Sequence, residues 1–134
     1  MGGHTIARHV AKPPQYLKAR LLGNRVNIPL IGVIGEKRAG SFPSMEAAAK
    51  LTNATIAANQ DKVAAFVAGG LLHALPYQNL FLKFRSRTGY EAYVADDQAQ
   101  PVMRDTYSVM VSLRRSPTSK KGYFVVSAFP LNED

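Results

Sequence analysis

Arg104-Asp-Thr-Tyr-Ser-Val-Met-Val-Ser-Leu-Arg-Arg115 and Gly122-Tyr-Phe-Val-Val-Ser-Ala-Phe-Pro130 are two β-rich runs separated by Ser116-Pro-Thr-Ser-Lys-Lys121. In the first, Tyr107, Val109, Val111 and Leu113 alternate with polar or flexible neighbours. The second is dense in aromatic and β-branched residues, and the turn-rich segment between them predicts an antiparallel hairpin. Two further runs of strand character lie upstream, at about 71 to 84 and 90 to 94. Before them the pattern is helical. Ser44 is placed as an N-cap after Pro43, Glu46 falls in the first turn, and Met45, Ala48, Thr52, Ile56, Val63, Phe66 and Val67 recur near helical spacing. Asn59-Gln60-Asp61 marks a break into a second helix, and Gly69-Gly70 closes the helical half. Earlier still, Pro14 to Leu22 reads as a short helix started by the Pro13-Pro14 pair and stopped by Gly23, with Leu17, Leu21 and Leu22 on one side and Arg20 in its last turn. Residues 4 to 10 read as another short helix. The Gly- and Pro-rich stretch from Asn24 to Gly40, with its Glu36-Lys37-Arg38 cluster, reads as a loop with one short strand. Helices first and strands afterwards imply an α+β fold, with N-terminal helices packed on a small twisted antiparallel sheet.

The 134 residues and 46% apolar content suit a single domain, 1–134, with one core. The apolar runs Ile28–Ile34 and Leu71–Leu75 fall far short of the ~20 residues of a membrane span, so no membrane anchor is expected. The start Met-Gly-Gly-His is not a secretory signal and reads as the beginning of a domain excised from a larger protein. There is no cysteine, so packing alone must hold the fold. Lys and Arg outnumber Asp and Glu by 17 to 9, a net charge of +8, and such a field attracts polyanions: RNA, DNA, an acidic membrane or an acidic protein.

Histidine is scarce, and His4 and His9 stand five apart, the wrong spacing for a metal pair on one helical face. No metal or other cofactor is expected. A histidine beside a phosphodiester can take the proton of a ribose 2′-hydroxyl, and arginine is shaped to hold the negative charge of the phosphorane that follows. His9 and Arg20 suit these roles if their helices fold together. His73 reads as a histidine within a strand. A noncatalytic RNA-binding module, using the charge with Tyr107, Tyr123 and Phe124, is the alternative reading. An acid–base enzyme for an anionic small molecule is a third, weakened by the lack of a glycine-rich phosphate loop.

Several stretches together carry a resemblance. They are Gly2-Gly-His4-Thr-Ile-Ala-Arg-His9-Val, Leu17-Lys-Ala-Arg20-Leu, Ser41-Phe-Pro-Ser-Met-Glu-Ala-Ala, and Val111 to Tyr123 running into Val126-Ser127-Ala-Phe129-Pro130. Over nearly the whole chain the sequence resembles the ribonuclease A-like C-terminal toxin domains of bacterial contact-dependent growth inhibition effectors. The resemblance implies a kidney-shaped α+β fold without disulfides and an endoribonuclease that cleaves RNA, transfer RNA among the candidate substrates, by metal-independent transphosphorylation. It implies catalytic roles for His9, Arg20 and Ser127, the last standing in a Thr-x-Tyr element that here reads Ser127-Ala128-Phe129. Phe129 has no hydroxyl and is left to stack on a base. This leaves the general acid unassigned, with His4 and Tyr123 as candidates and a slower enzyme if neither serves. It further implies a cognate immunity protein over the cleft, with an acidic surface to match the +8 charge. The parent is expected to be a secreted or cell-surface effector whose C-terminus acts in the cytoplasm of the target bacterium.

Overall fold

The computed structural model describes residues 9–30, 32–34, 36–69, 75–96 and 99–133. Among the described residues there are three helices, α1 (Pro14–Gly23), α2 (Met45–Ala58) and α3 (Gln60–Ala68). Eight strands accompany them among the same residues: β1 (Val26–Ile28), β2 (Gly32–Ile34), β3 (Arg38–Ser41), β4 (Tyr77–Lys83), β5 (Gly89–Tyr93), β6 (Val102–Thr106), β7 (Ser108–Arg115) and β8 (Tyr123–Leu131). The fold is α+β, with strands β3-β5-β6 and β4-β7-β8 forming two antiparallel three-stranded sheets, and β1-β2 a small ribbon.

The Ser44 hydroxyl accepts the Ala47 amide at 3.1 Å, starting α2 where the sequence places it. Asn59 ends α2 and leads into α3. Ser44→Ala is expected to cost about 1 kcal/mol of stability, read as a lower urea midpoint with an unchanged slope. Helices α2 and α3 bury Ala48, Val63 and Phe66 against one face of the β4-β7-β8 sheet, where Leu80, Val109, Val111, Leu113 and Ala128 are fully buried. Helix α1 forms a second core by packing Leu17 and Leu21 on Ala39 and Ala92 of the other sheet and on Val94, which follows β5. Leu22, expected on the same buried side, is 40% exposed.

Two expectations are corrected. The Asn24–Gly40 stretch carries the β1-β2 ribbon and most of β3 rather than one short strand in a loop. The run 104–115 is two strands in two different sheets, parted at Tyr107. Buried Thr88 fastens that crossover: its amide donates to the Thr106 carbonyl at 2.8 Å and its hydroxyl to the Ser108 carbonyl at 3.0 Å. The hairpin itself forms as expected, β7 against β8. Gly122 has φ +83° and lies so close to Val67 that a Cβ would come within 2.5 Å of it, which explains a glycine at the end of this turn. The expected helix 4–10 lies outside the described residues except for His9 and Val10, which are in a turn and a β-bridge; 71–74, with His73, also lie outside them.

Candidate active site

The site is assembled where the two sheets meet. The segment after His9 runs beside the end of β3 and is held by its main chain. The Phe42 amide donates to the His9 carbonyl at 2.6 Å, and the Ala11 amide to the Phe42 carbonyl at 2.7 Å. The Lys12 amide donates to Ser41 Oγ at 3.0 Å, and Tyr90 donates its hydroxyl to the Lys12 carbonyl at 2.7 Å. The His9 ring is thereby set 3.3 Å from the Gly40 carbonyl through Nδ1. A carbonyl can only accept, so this bond puts the proton on Nδ1 and leaves Nε2 as the basic nitrogen. The ring also meets Phe129, with centroids 5.4 Å apart and planes tilted by 44°.

Strand β8 reaches β3 at Gly40. A Cβ there would lie 2.3 Å from the Pro130 carbonyl oxygen, so only glycine allows the two backbones this approach. The approach sets Ser127 and Phe129 of β8 beside His9. Together with Arg20, Glu36 and Arg38 these residues line one cleft of about 730 Å³. Arg20 projects from α1, whose Leu17 and Leu21 fix its orientation by packing on the β3-β5-β6 sheet. Its guanidinium lies 3.6 Å from the Glu36 carboxylate, which also accepts the Asn24 amide group at 3.0 Å.

Residues from positions 9, 20, 127 and 129, far apart in the chain, are thus brought to one cavity. Tyr123 is not. It pairs with Arg115 at the far end of β8 and packs toward α3, lining a separate cavity with Val63, Val67 and Lys121. A register shift between Ser112 and Leu113 inserts Val126 into β8 between the two sites. Tyr123 therefore leaves the set of residues that share a cavity with His9. His4 lies outside the described residues.

Lys37 and Arg38 also line the cleft, and the sequence reading did not single them out as site residues. Their signal was present as the Glu36-Lys37-Arg38 cluster, but a charged cluster before a short strand is usually a solvated turn. Behind them, Glu91 is fully buried, with Arg104 Nε at 2.7 Å from one carboxylate oxygen and Arg38 Nη1 at 4.0 Å from the other. Arg38 also donates to the Asn132 carbonyl at 2.5 Å. The buried acid therefore ties a cleft cation into the sheet. Among the described residues, no group of three His, Asp or Glu side chains is arranged to hold a metal ion, and no helix is long and apolar enough to cross a membrane. The cleft can supply a basic imidazole, a hydroxyl and several fixed cations to a bound phosphodiester.

The family described as the bacterial CdiA-CT RNAse A domain matches residues 3–130. The fold is similar to the crystal structure of a CdiA-CT/CdiI complex from Y. kristensenii 33638, with a TM-score of 0.77 and 21% identity, covering 96% of this chain and 99% of that one. No curated protein matches in sequence.

Proposed function

The chain belongs to the bacterial CdiA-CT RNAse A domain family, and from that membership we propose that residues 1–134 form a single toxin domain that cuts RNA by transphosphorylation without a metal ion. The observation that carries this reading is the shared cleft of His9, Arg20 and Ser127. RNA brings its own nucleophile. His9 Nε2 takes the proton of a ribose 2′-hydroxyl, and O2′ attacks the adjacent phosphorus. The P–O5′ bond breaks, leaving a 2′,3′-cyclic phosphate and a 5′-hydroxyl. Arg20, Lys37 and Arg38 offset the charge on the phosphorane, and Ser127 donates its hydroxyl to a phosphoryl oxygen. Phe129 holds the imidazole on one side and offers its ring to a base. Protonation of the departing O5′ falls to His4.

An oligonucleotide with 2′-O-methyl groups throughout lacks the nucleophile and is expected to bind without being cut, whereas the unmodified strand is cleaved. Cutting of the methylated strand would overturn this chemistry.

In the free protein Glu36 occupies the Arg20 guanidinium that the phosphate needs. The carboxylate is 48% exposed and the pair is worth ~0.2–1 kcal/mol, so Glu36→Gln is expected to lower KM for RNA by about 1.4- to fivefold with kcat little changed. An unchanged or raised KM contradicts this competition.

The wider role follows the family: the C-terminal part of a larger secreted effector, acting in the cytoplasm of a neighbouring bacterium. The net charge of +8 favours a cognate immunity protein whose acidic surface covers the cleft.

A further inference from the structure

The face of the β4-β7-β8 sheet turned away from the helices continues from the cleft. Along β7, Val109, Val111 and Leu113 enter the core, so Met110, Ser112 and Arg114 share the opposite face. Strand pairing puts Ser127 beside Ser112 and Asn79 on its other side, with the Ser112 hydroxyl 2.6 Å from Asn79 Oδ1. The next row across the same three strands is Tyr77, Arg114 and Phe124. The Arg114 guanidinium stands 5.6 Å from the Tyr77 ring centre. Tyr77 is 52% exposed and Phe124 39%, on a sheet whose core face is already filled by aliphatic side chains. Core packing does not account for two open rings here.

We propose that Tyr77, Arg114 and Phe124 form a second subsite for single-stranded RNA, which binds a nucleotide flanking the one cut beside His9. The proposal deepens the ribonuclease reading and rests on it. Three features favour this occupant. Ser112 and Arg114 are two residues apart, about 7 Å along the strand, so the row adjoins the row of Ser127 and a strand lying in the cleft can continue onto it. Arg114 also keeps its charge available. Arg87 is paired with Asp105 and Arg104 with Glu91, but among the described residues no carboxylate pairs with Arg114. Finally, two exposed rings flanking a cation offer stacking faces to unpaired bases and a charge to the phosphate between them, which a duplex with its bases stacked inside does not use.

The test compares Tyr77→Ala, Arg114→Ala, Phe124→Ala and the triple variant on two substrates, a dinucleotide that reaches only the His9 cleft and a single strand of about eight nucleotides. For the dinucleotide, kcat/KM is expected to match wild type. For the longer strand it is expected to fall about 5- to 100-fold, mainly through KM. Tyr77→Phe keeps the ring and is expected to behave as wild type on both, which guards against a folding defect. Binding of a fully 2′-O-methylated strand to the same variants in a His9→Ala background, read by fluorescence anisotropy, gives an independent measure. If wild type cuts neither substrate, the ribonuclease reading fails while the binding measurement still tests the subsite. The proposal is overturned if the variants bind and cut the longer strand as wild type does, which would leave the row to a protein partner, or if both substrates suffer equally.

Discussion

His9→Ala is expected to slow RNA cleavage by about 10² to 10⁴-fold while the protein stays folded. The side chain supplies the basic nitrogen, but the chain around it is held by main-chain bonds that alanine keeps: the Phe42 amide on the His9 carbonyl and the Ala11 amide on the Phe42 carbonyl. Among the contacts with described residues, the substitution removes the ring contact with Phe129 and the 3.3 Å bond to Gly40, in a residue that is only partly buried. A melting temperature near that of wild type, together with the lost rate, is the expected pair of observations. Cleavage at the wild-type rate would remove His9 from the chemistry. Unchanged RNA binding with no cleavage by either protein would favour a noncatalytic binding module.

The second large effect is expected at Gly40, through geometry rather than chemistry. An alanine Cβ would sit 2.3 Å from the Pro130 carbonyl oxygen and 3.4 Å from its carbon, both main-chain atoms with little room to yield. β3 and β8 must therefore move apart. Overpacking of this kind costs roughly 1–3 kcal/mol, a fall in melting temperature of roughly 4–12 °C. The same movement shifts Ser127 and Phe129 relative to His9, whose Nδ1 partner is the carbonyl of Gly40 itself. A displacement of ~1 Å in such a site can cost about 10²-fold in rate, so kcat/KM for RNA is expected to fall by about that factor even below the melting range. Gly23→Ala is the control. No atom lies within 4 Å of that added Cβ, and both stability and activity are expected to hold. Equal behaviour of the two variants would contradict the tight joint at Gly40.

What the sequence made legible was what neighbouring residues decide. Ser44 with Glu46 marks the start of a helix through local hydrogen bonding and charge, and the Ser116–Gly122 segment marks a turn, so α2 and the β7-β8 hairpin stand where they were expected. Partner choice between strands is not local. Nothing in Thr106-Tyr107-Ser108 resembles a turn, and yet the chain changes sheets there because Thr88, eighteen residues away from Thr106, binds both sides of the crossover. Of the three short strands before α2 only one was expected, because three or four residues carry too little alternation to declare themselves.

For the site, charge and scarce histidine pointed to His9 and Arg20 as a phosphate-handling pair. Ser127 and Phe129 came from the resemblance. Tyr123 was misplaced because alternation along β8 does not survive the extra residue at Val126. Glu91 gave no signal at all. An acid in Gly-Tyr-Glu-Ala-Tyr reads as a surface residue, and only the fold reveals that it is buried between Arg104 and Arg38.

The most direct test of metal-free cleavage from the His9 cleft is to incubate the purified protein with RNA in excess EDTA and determine the chemistry of the new ends. Fragments ending in 2′,3′-cyclic phosphate opposite 5′-hydroxyl ends, formed at an undiminished rate, are expected. Loss of cleavage in EDTA, or fragments carrying 3′-hydroxyl and 5′-phosphate ends, would contradict attack by the ribose 2′-oxygen and the roles given to His9, Arg20 and Ser127.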